Sequence, residues 1–380
     1  MKIGIVCYPT FGGSGVVATE LGISLSHLGH EIHFITYKQP VRLSGLNQKV
    51  HFHEVFVPKY PLFHYQPYEL ALSSKLVDMV KLHDIELLHV HYAIPHAYAA
   101  YMAKQMLASE NIHIPIVTTL HGTDITLVGN HPFYKPAVEF SINHSDAVTC
   151  VSQSLKEDTH ELFSINKNIQ VIPNFIDVNN HRSQFSDCDR GSIALESERI
   201  IAHVSNFRPV KRVGDVIQIF YRIQQSLSAK LMMIGDGPDR AFAEDLCQKL
   251  GITDQVIFFG NSNEVNRVLC FSDLFLLPSE TESFGLAALE AMLSETPVIA
   301  SDQGGIPEVV EHGFSGFLAP VGDVDTMSQD ALKILSDDTV LKQFKANALK
   351  AAQKFDIDRV VPFYEEAYKN AIQQISQSGR

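Results

Sequence analysis

The sequence predicts an α/β protein of two domains, each built on a parallel, doubly wound sheet. Short apolar runs of strand length alternate with longer helical patterns along almost the whole chain, which is typical of parallel sheets covered by helices. The 380 residues also exceed the length that one hydrophobic core usually supports. A polar segment at residues 178–198 interrupts the alternation. We therefore predict domains at residues 1–176 and 177–357, followed by a terminal segment at 358–380.

The apolar runs and helical patterns define the elements of each half. In the first half, strands are predicted at 3–7, 31–37, 87–91, 116–120, 147–151 and 169–172, and helices at 16–28, 68–83, 95–108, 136–143 and 154–163. In the second half, strands are predicted at 199–207, 230–234, 255–260, 274–277, 297–300 and 316–318, and helices at 264–271, from about 285, and at 325–335, 340–354 and 358–375. Ligands are expected at the carboxyl ends of such strands.

A glycine-rich turn at residues 9–15 joins the first strand to the first helix. Glycines let the backbone approach a ligand closely, and the helix N-terminus then points at it. The spacing of Gly12, Gly13 and Gly15 differs from the dinucleotide pattern G-x-G-x-x-G, and no acidic residue follows the second strand in the dinucleotide manner. Contact with a substrate is therefore favoured over a nucleotide cofactor, and a tight turn without a ligand is the alternative.

Two further strands of the first half run into polar tips at residues 89–92 and 118–124. His121 precedes a glycine that clears space beside its imidazole, which makes it a candidate for ligand contact, with a structural histidine as the alternative. His89 with His91, and His51 with His53, could each supply half of a metal site, because alternate strand residues share a face. Neither pair has a third ligand at an evident spacing, so no metal site is predicted.

The second half places a cationic cluster after its first strand. Arg208, Lys211 and Arg212 fall within five residues at a strand-to-helix junction. Positive charge at a helix N-terminus opposes the helix dipole, so the cluster favours an anionic ligand such as a diphosphate over a solvated helix start.

Residues 281–290 carry two carboxylates around the start of a helix. Glu282 lies in the loop after an apolar strand, and Glu290 lies within the helix that opens near Gly285. The unpaired N–H groups of such a helix start suit a phosphate. Eight residues at helical rise span about 12 Å, enough for the carboxylates to hold separate parts of one elongated ligand. The alternative interpretation is that Glu282 is an ordinary charged loop residue and Glu290 a solvated helix residue.

Composition narrows the class of protein. The apolar content of 45% with 19% charged residues is that of a globular chain rather than a disordered one, and the net charge of −13 argues against nucleic acid or anionic membrane as a partner. The five cysteines are scattered singly, which fits a reducing compartment with each cysteine filling the core. The first apolar run is too short for a signal sequence, and no run reaches membrane-spanning length. A cytoplasmic protein is expected.

These motifs, taken in order, resemble glycosyltransferase family 4. The matching features are Glu282 and Glu290 eight residues apart with residues 283–285 between them, the loops 235–238 and 304–308, the strand at 316–318, Lys211, and Gly12-Gly13. The resemblance implies the GT-B architecture, in which two facing Rossmann-like domains enclose a cleft and the terminal helix crosses back to the first domain. Where most of the family has Gly-Arg, this chain has Ser205-Asn206, which points to Arg208 with Lys211 as the diphosphate-binding cations.

The combination of segments 7–15, 121–124 and 205–212 also resembles the branch of the family that acts in bacillithiol biosynthesis. That likeness implies retaining transfer of N-acetylglucosamine from UDP-GlcNAc to the hydroxyl of L-malate, with a homodimer as a possible assembly. Breaking the anomeric bond builds charge on the diphosphate, which fixed cations and helix N–H groups stabilise. A metal ion could do the same, but the chain lacks a clear Asp-x-Asp motif at a strand end, so we expect neither a metal nor another cofactor.

The resemblance also assigns residue roles. Glu290 is expected to bind the ribose and Glu282 the donor sugar, while His121 faces the sugar from the opposite domain. The expected catalytic residues are His121, Arg208, Lys211 and Glu282. Expected donor-binding residues are Gly13, Ser14, Gly15, Asn206, Arg208, Lys211, Ser283, Phe284, Gly285, Leu286 and Glu290, and expected acceptor-binding residues are Ser14, Tyr92 and Thr123.

The acceptor is the least constrained part of this interpretation. Two carboxylates on malate require at least one cation, for which the candidates are Lys38, Arg42, Lys59 and Lys135. Four alternatives stay open: a family 4 enzyme with another small or lipid acceptor, a UDP-GlcNAc epimerase, a sugar-nucleotide sensor without turnover, and a nicotinamide or flavin oxidoreductase.

Overall fold

The computed structural model describes residues 1–10, 13–41, 43, 48–59, 61, 64–183, 190–261 and 265–378. The chain divides into two compact units. The first unit comprises Met1–Phe175 with Ile357–Arg380, and the second comprises Ile176–Asp356. Of the residues singled out by the sequence, Phe11, Gly12, Arg42, Cys188 and Glu264 lie outside the described ranges.

The first unit is built on a seven-stranded parallel sheet. Its strands are β1 (Lys2–Val6), β2 (Glu31–Thr36), β3 (Val50–Glu54), β4 (Leu87–His91), β5 (Ile116–Leu120), β6 (Ala147–Cys150) and β7 (Ile169–Val171), in the order β3-β2-β1-β4-β5-β6-β7. Helices α1 (Gly13–His27), α2 (Tyr68–His83), α3 (Tyr98–Ala108), α4 (Lys135–His144) and α5 (Gln153–Leu162) join them. All five side chains of β4 are buried, as expected for a strand covered on both faces.

The second unit repeats this design with six parallel strands. They are β8 (Arg199–Val204), β9 (Ala229–Ile234), β10 (Val256–Gly260), β11 (Leu274–Leu277), β12 (Val298–Ser301) and β13 (Gly316–Ala319), in the order β10-β9-β8-β11-β12-β13. The helices are α6 (Val178–Ser183), α7 (Val213–Gln224), α8 (Arg240–Leu250), α9 (Val265–Cys270), α10 (Leu286–Leu293), α11 (Ile306–Val309), α12 (Val324–Leu335) and α13 (Asp338–Ala352). The terminal helix α14 (Ile357–Ser378) belongs to the first unit.

Each sheet has one point at which the strand order reverses, and that point organises the loops that follow. In the first sheet β1 lies between β2 and β4, and in the second β8 lies between β9 and β11. The loops after the two strands flanking such a point leave in opposite directions and open a crevice at the carboxyl ends. The sequence motifs fall largely on these loops.

The predicted α/β class with two parallel sheets is confirmed. The sequence interpretation missed strand β3 and helix α8, and it extended the strand that begins at Arg199 three residues too far. Cys7, Cys150 and Cys247 are buried and not disulfide-bonded, as expected, whereas Cys270 is disulfide-bonded and so contradicts the prediction that every cysteine only fills the core. None of the described helices combines the length and apolarity needed to cross a membrane.

Candidate active site

The loops that follow β8 and β11 meet at the point where the second sheet reverses its strand order. The Glu280 N–H donates to the Val210 carbonyl oxygen at 2.8 Å, which ties the two loops through their backbones. Lys211 Nζ lies 2.5 Å from Glu282 Oε1, and Ser279 Oγ donates to the same oxygen at 2.9 Å. The structure therefore brings together Lys211 and Glu282, two predicted site residues that are 71 positions apart.

Close backbone packing by glycine fixes the shape of these loops. A Cβ on Gly304 would lie 2.2 Å from the Glu282 carbonyl oxygen, and one on Gly305 would lie 2.4 Å from that of Ser283. Both contacts are with backbone, so a side chain at either position would displace the loop that carries Glu282. Gly235 packs in the same way against Ser205, where a Cβ would come within 1.8 Å of the carbonyl oxygen.

His203 links the end of β8 to β11 and was missed by the sequence interpretation. Its Nδ1 lies 2.9 Å from the Leu276 carbonyl oxygen, which can only accept, so Nδ1 carries the proton. Burial lowers the pKa of His203 to about 4. The neutral ring then accepts from Ser205 Oγ at 2.8 Å, and Ser205 Oγ accepts from the Phe207 N–H at 3.3 Å. This chain of hydrogen bonds orients the start of the cationic loop.

The three cations of that loop have different partners. Arg212 donates from Nε to Asp215 Oδ2 at 2.6 Å, and Lys211 is paired with Glu282. Arg208 is exposed and forms no ion pair with any residue in the described ranges. Arg208 is therefore the cation of this loop whose charge is available to an added anion.

Helix α10 begins at Leu286, four residues after Glu282, and so close to the predicted start near Gly285. Gly285 precedes it with φ +95°, a left-handed conformation that favours glycine. Phe284 is buried, whereas Ser283 and Leu286 are half-buried. Glu290 is half-buried one turn from the C-terminal end of the helix. Glu282 and the N-terminal N–H groups thus lie at the start of a short helix, and Glu290 lies further along it, a spacing that suits an elongated ligand.

In the first unit, the end of β4 and the start of α1 come together. Ser14 Oγ and Tyr92 Oη are 2.6 Å apart, so two residues predicted to bind the acceptor share a hydrogen bond. Tyr92 adopts φ +83°, an uncommon conformation for a residue with a side chain and one that is often found at functional sites. Gly15 is required here, since a Cβ would lie 2.6 Å from the Thr10 carbonyl oxygen.

Asp124 ties the loops after β4 and β5 together, a role that the sequence interpretation did not assign. Its Oδ2 accepts from the Ala93 N–H at 2.9 Å, and its Oδ1 accepts from the N–H groups of His121 and Gly122 at 3.2 and 3.1 Å. Burial raises the pKa of Asp124 to about 6, so the carboxylate that these donors favour is the main form at neutral pH. Thr123, between the tied residues, is exposed.

His121 shares a hydrogen bond with His91 on the neighbouring strand. His91 Nδ1 and His121 Nε2 are 2.8 Å apart, and burial lowers the pKa of both rings, that of His121 to about 3. His91 Nε2 is buried without a partner. We place the proton on His91 Nδ1, because the other arrangement would bury an unpaired N–H group, the costlier of the two. His121 then presents Nδ1–H, which makes no hydrogen bond with any described residue.

The two histidine pairs weighed as half metal sites have different surroundings. His89 uses both ring nitrogens, with Thr119 Oγ1 and Tyr368 Oη each at 2.7 Å, so it has no free ligand atom. His51 and His53 lie close to His33, a partner that the sequence spacing did not suggest. Of the lysines proposed for the acceptor, Lys38 and Lys59 are exposed, whereas Lys135 Nζ lies 5.7 Å from the Phe163 ring centre.

Solved structures share this fold at low sequence identity. Sucrose-phosphate synthase from Thermosynechococcus elongatus matches 98% of this chain and 99% of its own with a TM-score of 0.78 at 19% identity. Anabaena HepE in complex with UDP and glucose matches 100% of this chain and 99% of its own with a TM-score of 0.76 at 21% identity. Two Rossmann-like units of this kind define the GT-B class of glycosyltransferases.

Sequence comparison narrows the class to a family. The family model "Glycosyltransferase Family 4" matches residues 11–180, and "Glycosyl transferases group 1" matches residues 187–351. N-acetyl-alpha-D-glucosaminyl L-malate synthase from Bacillus anthracis is 46% identical over 374 residues, which is 98% of this chain and 97% of that protein. The chain belongs to glycosyltransferase family 4, as the sequence motifs predicted.

Proposed function

We propose that this chain transfers N-acetylglucosamine from UDP-GlcNAc to the hydroxyl group of L-malate, as a step of bacillithiol biosynthesis. The observation that carries the proposal is the 46% identity with the Bacillus anthracis L-malate synthase over nearly the full length of both chains. That match spans the sequence of both units, and therefore the residues assigned to the donor as well as those assigned to the acceptor.

The second unit binds the donor diphosphate through Arg208 and Lys211. Arg208 has no ion-pair partner among the described residues, and Lys211 lies next to it on the same loop with Asn206 nearby. Their positive charge, with the N-terminal N–H groups of α10, stabilises the charge that develops on the departing phosphate. Cations in this position supply what a divalent metal supplies in other transferases, so the proposed reaction needs no metal ion.

The residues around α10 hold the sugar and the ribose. Glu282 accepts hydrogen bonds from donor sugar hydroxyls, and Glu290 accepts from the ribose hydroxyls. Ser279 and Lys211 hold the Glu282 carboxylate at 2.9 and 2.5 Å, which supports a fixed acceptor at that position. The residues from Ser283 to Leu286 contact the phosphates of the donor.

The first unit binds malate near Ser14, Tyr92 and Thr123. Burial raises the pKa of the Tyr92 phenol, so it is a hydrogen-bond donor at neutral pH and suits a carboxylate. Lys38 is exposed directly beyond the carboxyl end of β2, and Lys59 is exposed beyond β3, so these two cations are the better candidates for the second carboxylate. Lys135 is directed to Phe163 instead.

Transfer proceeds with retention and without an enzyme nucleophile. The malate hydroxyl oxygen bonds to the anomeric carbon on the face from which the phosphate oxygen leaves, and its proton passes to the departing diphosphate. His121 donates from Nδ1 to the sugar and takes no proton, because burial keeps the His91–His121 pair neutral. The anomeric configuration of the product, read by proton NMR, tests this step: a β-linked product contradicts retention.

The deciding assay measures UDP release and product mass with UDP-GlcNAc, in the presence and absence of L-malate. The expected result is malate-dependent UDP release, with a product whose mass equals that of UDP-GlcNAc plus malate less UDP. Chelation of metal ions by EDTA should leave the initial rate unchanged. UDP release without malate favours an epimerase or hydrolase. UDP-GlcNAc binding without any turnover favours a sensor or another acceptor.

Glu290→Ala tests the donor site independently of the acceptor. Loss of charged hydrogen bonds to the ribose is expected to weaken UDP binding by roughly 10- to 100-fold. Glu295→Ala is the matched control, since this exposed carboxylate lies just beyond the same helix. Equal UDP affinity of the Glu290 variant and wild type in calorimetry contradicts the ribose role.

A further inference from the structure

A cluster of four histidines and one glutamate lies at the edge of the sheet in the first unit, on β2, β3 and the end of α2. His33 is on β2, His51 and His53 are on β3, Glu31 opens β2, and His83 ends α2. Residues of the proposed reaction lie after the carboxyl ends of the strands of this sheet. The cluster is therefore a separate feature, which the proposed function does not use.

The parallel pairing of β2 with β3 creates the cluster. His33 is paired in register with His51, and Glu31 lies two residues before His33, so all three side chains share one face of the sheet. The ring centres of His33 and His51 are 4.8 Å apart, with the rings stacked at 25°. His33 is completely buried, whereas the side chains of His51 and Glu31 are 39% and 37% exposed.

The geometry of Glu31, His33 and His51 points to a metal site. We propose that these three residues bind one divalent transition-metal ion of the zinc class through Glu31 Oε1, His33 Nε2 and His51 Nε2. Glu31 Oε1 lies 3.3 Å from His33 Nε2 and 3.4 Å from His51 Nε2. Ligand bonds of about 2.0–2.1 Å at a tetrahedral angle place neighbouring ligand atoms about 3.3 Å apart, so the three atoms are spaced for one ion.

The hydrogen bonding of His33 supports the same assignment. Its Nε2 is a buried atom with no hydrogen-bond partner, which a metal ion would provide. Its Nδ1 lies 2.9 Å from His53 Nε2, a hydrogen-bond distance that is shorter than the spacing of two ligands on one ion. A metal-bound histidine characteristically donates its other N–H group, and His53 is placed to accept it.

The types of the three ligands indicate which ions can bind, and the exposure of two of them keeps the site accessible to solvent. Two imidazoles and one carboxylate suit zinc, copper and nickel better than magnesium or calcium, which prefer oxygen ligands. The exposed sides of His51 and Glu31 leave a fourth position for water. Because the ligands come from two adjacent strands, the ion would hold the edge strand β3 to β2.

The test is zinc binding by the full-length protein after removal of bound metal by chelation and dialysis. One Zn²⁺ per chain is expected by calorimetry, together with a higher melting temperature when zinc is present. Cobalt(II) should give the intense visible absorption of a four-coordinate site. His51→Ala and Glu31→Gln should each weaken zinc binding at least 10-fold, and His53→Gln by about 10- to 100-fold through its hydrogen bond to His33.

His160→Ala is the matched control, because this exposed histidine lies on α5 away from the cluster and should leave zinc affinity unchanged. The substitutions at His51 and Glu31 alter side chains that are more than one-third exposed, so circular dichroism should show a folded chain. Absence of stoichiometric zinc binding by the wild type overturns the proposal. Equal zinc affinity in wild type, His51→Ala and Glu31→Gln does so as well.

Discussion

Lys211→Ala is the substitution that most directly tests the cationic role of the loop after β8. The Lys211 and Glu282 side chains are only 20% and 15% exposed, and their charged atoms are 2.5 Å apart. Water therefore screens this charge less than it screens a surface cation. If Lys211 also stabilises the charge that develops on the leaving diphosphate, its removal should lower kcat by about 10²- to 10³-fold, the usual effect of one fixed donor at a developing anion.

The same substitution has a smaller, separable effect on stability. Glu282 loses a charged hydrogen bond of about 1.5–3 kcal/mol but keeps the one from Ser279 at 2.9 Å. The melting temperature should fall by several degrees, at roughly 2–4 °C per kcal/mol for a unit of this size. Initial rates of UDP release, UDP affinity by calorimetry and thermal unfolding together distinguish the two effects.

A double-mutant cycle with Glu282→Gln shows whether Lys211 acts on the substrate or only through Glu282. If Lys211 merely positions the carboxylate, Lys211→Ala should cause no further loss of kcat in the Glu282→Gln background. A further loss is expected if the lysine acts on the diphosphate. Arg222→Ala on α7 is the control, because this half-buried arginine pairs with Asp325 outside the site. A kcat for Lys211→Ala within about 3-fold of wild type, less than 1 kcal/mol, refutes the cationic role.

Two further predictions concern residues that support the loops of the donor site: Gly305 and His203. Gly305→Ala should weaken UDP binding and destabilise the chain by about 1–3 kcal/mol, because the new Cβ would lie 2.4 Å from the Ser283 carbonyl oxygen. Gly251→Ala is the control: its φ of +71° also makes a side chain costly, but its Cβ would meet nothing within 4 Å, so UDP affinity should stay unchanged. Equal UDP affinities in the two variants would contradict this reasoning. Burial lowers the pKa of His203 from 6.5 to about 4, so its contribution to stability is complete above pH 6.5 and is lost as the pH falls toward 4. Urea unfolding at pH 7 and pH 5 should show an acid-dependent loss about 2 kcal/mol smaller in His203→Asn than in wild type, and identical losses would show that His203 does not exclude a proton.

The alternation of strands and helices was enough to predict both parallel sheets, because apolar runs of strand length are a local property of the sequence. Strand β3 was missed because Val50 and Phe52 alternate with His51 and His53, and such a short edge strand carries a weak hydrophobic signal. Helix α8 has few buried residues, with Ala243 and Cys247 the two fully covered, and was overlooked for the same reason.

Contacts between distant segments could not be obtained from spacing. Lys211 and Glu282 meet because β8 and β11 are neighbours at the reversal of strand order, which depends on the topology of the whole sheet. His91 and His121 meet because β4 lies beside β5. The buried role of Asp124 was hidden for another reason: a carboxylate that accepts backbone N–H groups leaves no pattern in the sequence. For the structural role of His203, the one available sequence signal was its position two residues before Ser205.

Arg208 and Arg212 show how the fold gives identical residues different ion-pair partners. Both stand in the same basic run, but Arg212 is occupied by Asp215 while Arg208 has no ion-pair partner among the described residues. Since Lys211 is already paired with Glu282, the charge available to a diphosphate before any rearrangement is that of Arg208 and the start of α10. In a chain of net charge −13, that local excess is what can attract an anionic donor. Donor affinity should therefore depend on Arg208 first, with Lys211 contributing as the charge on the phosphate grows.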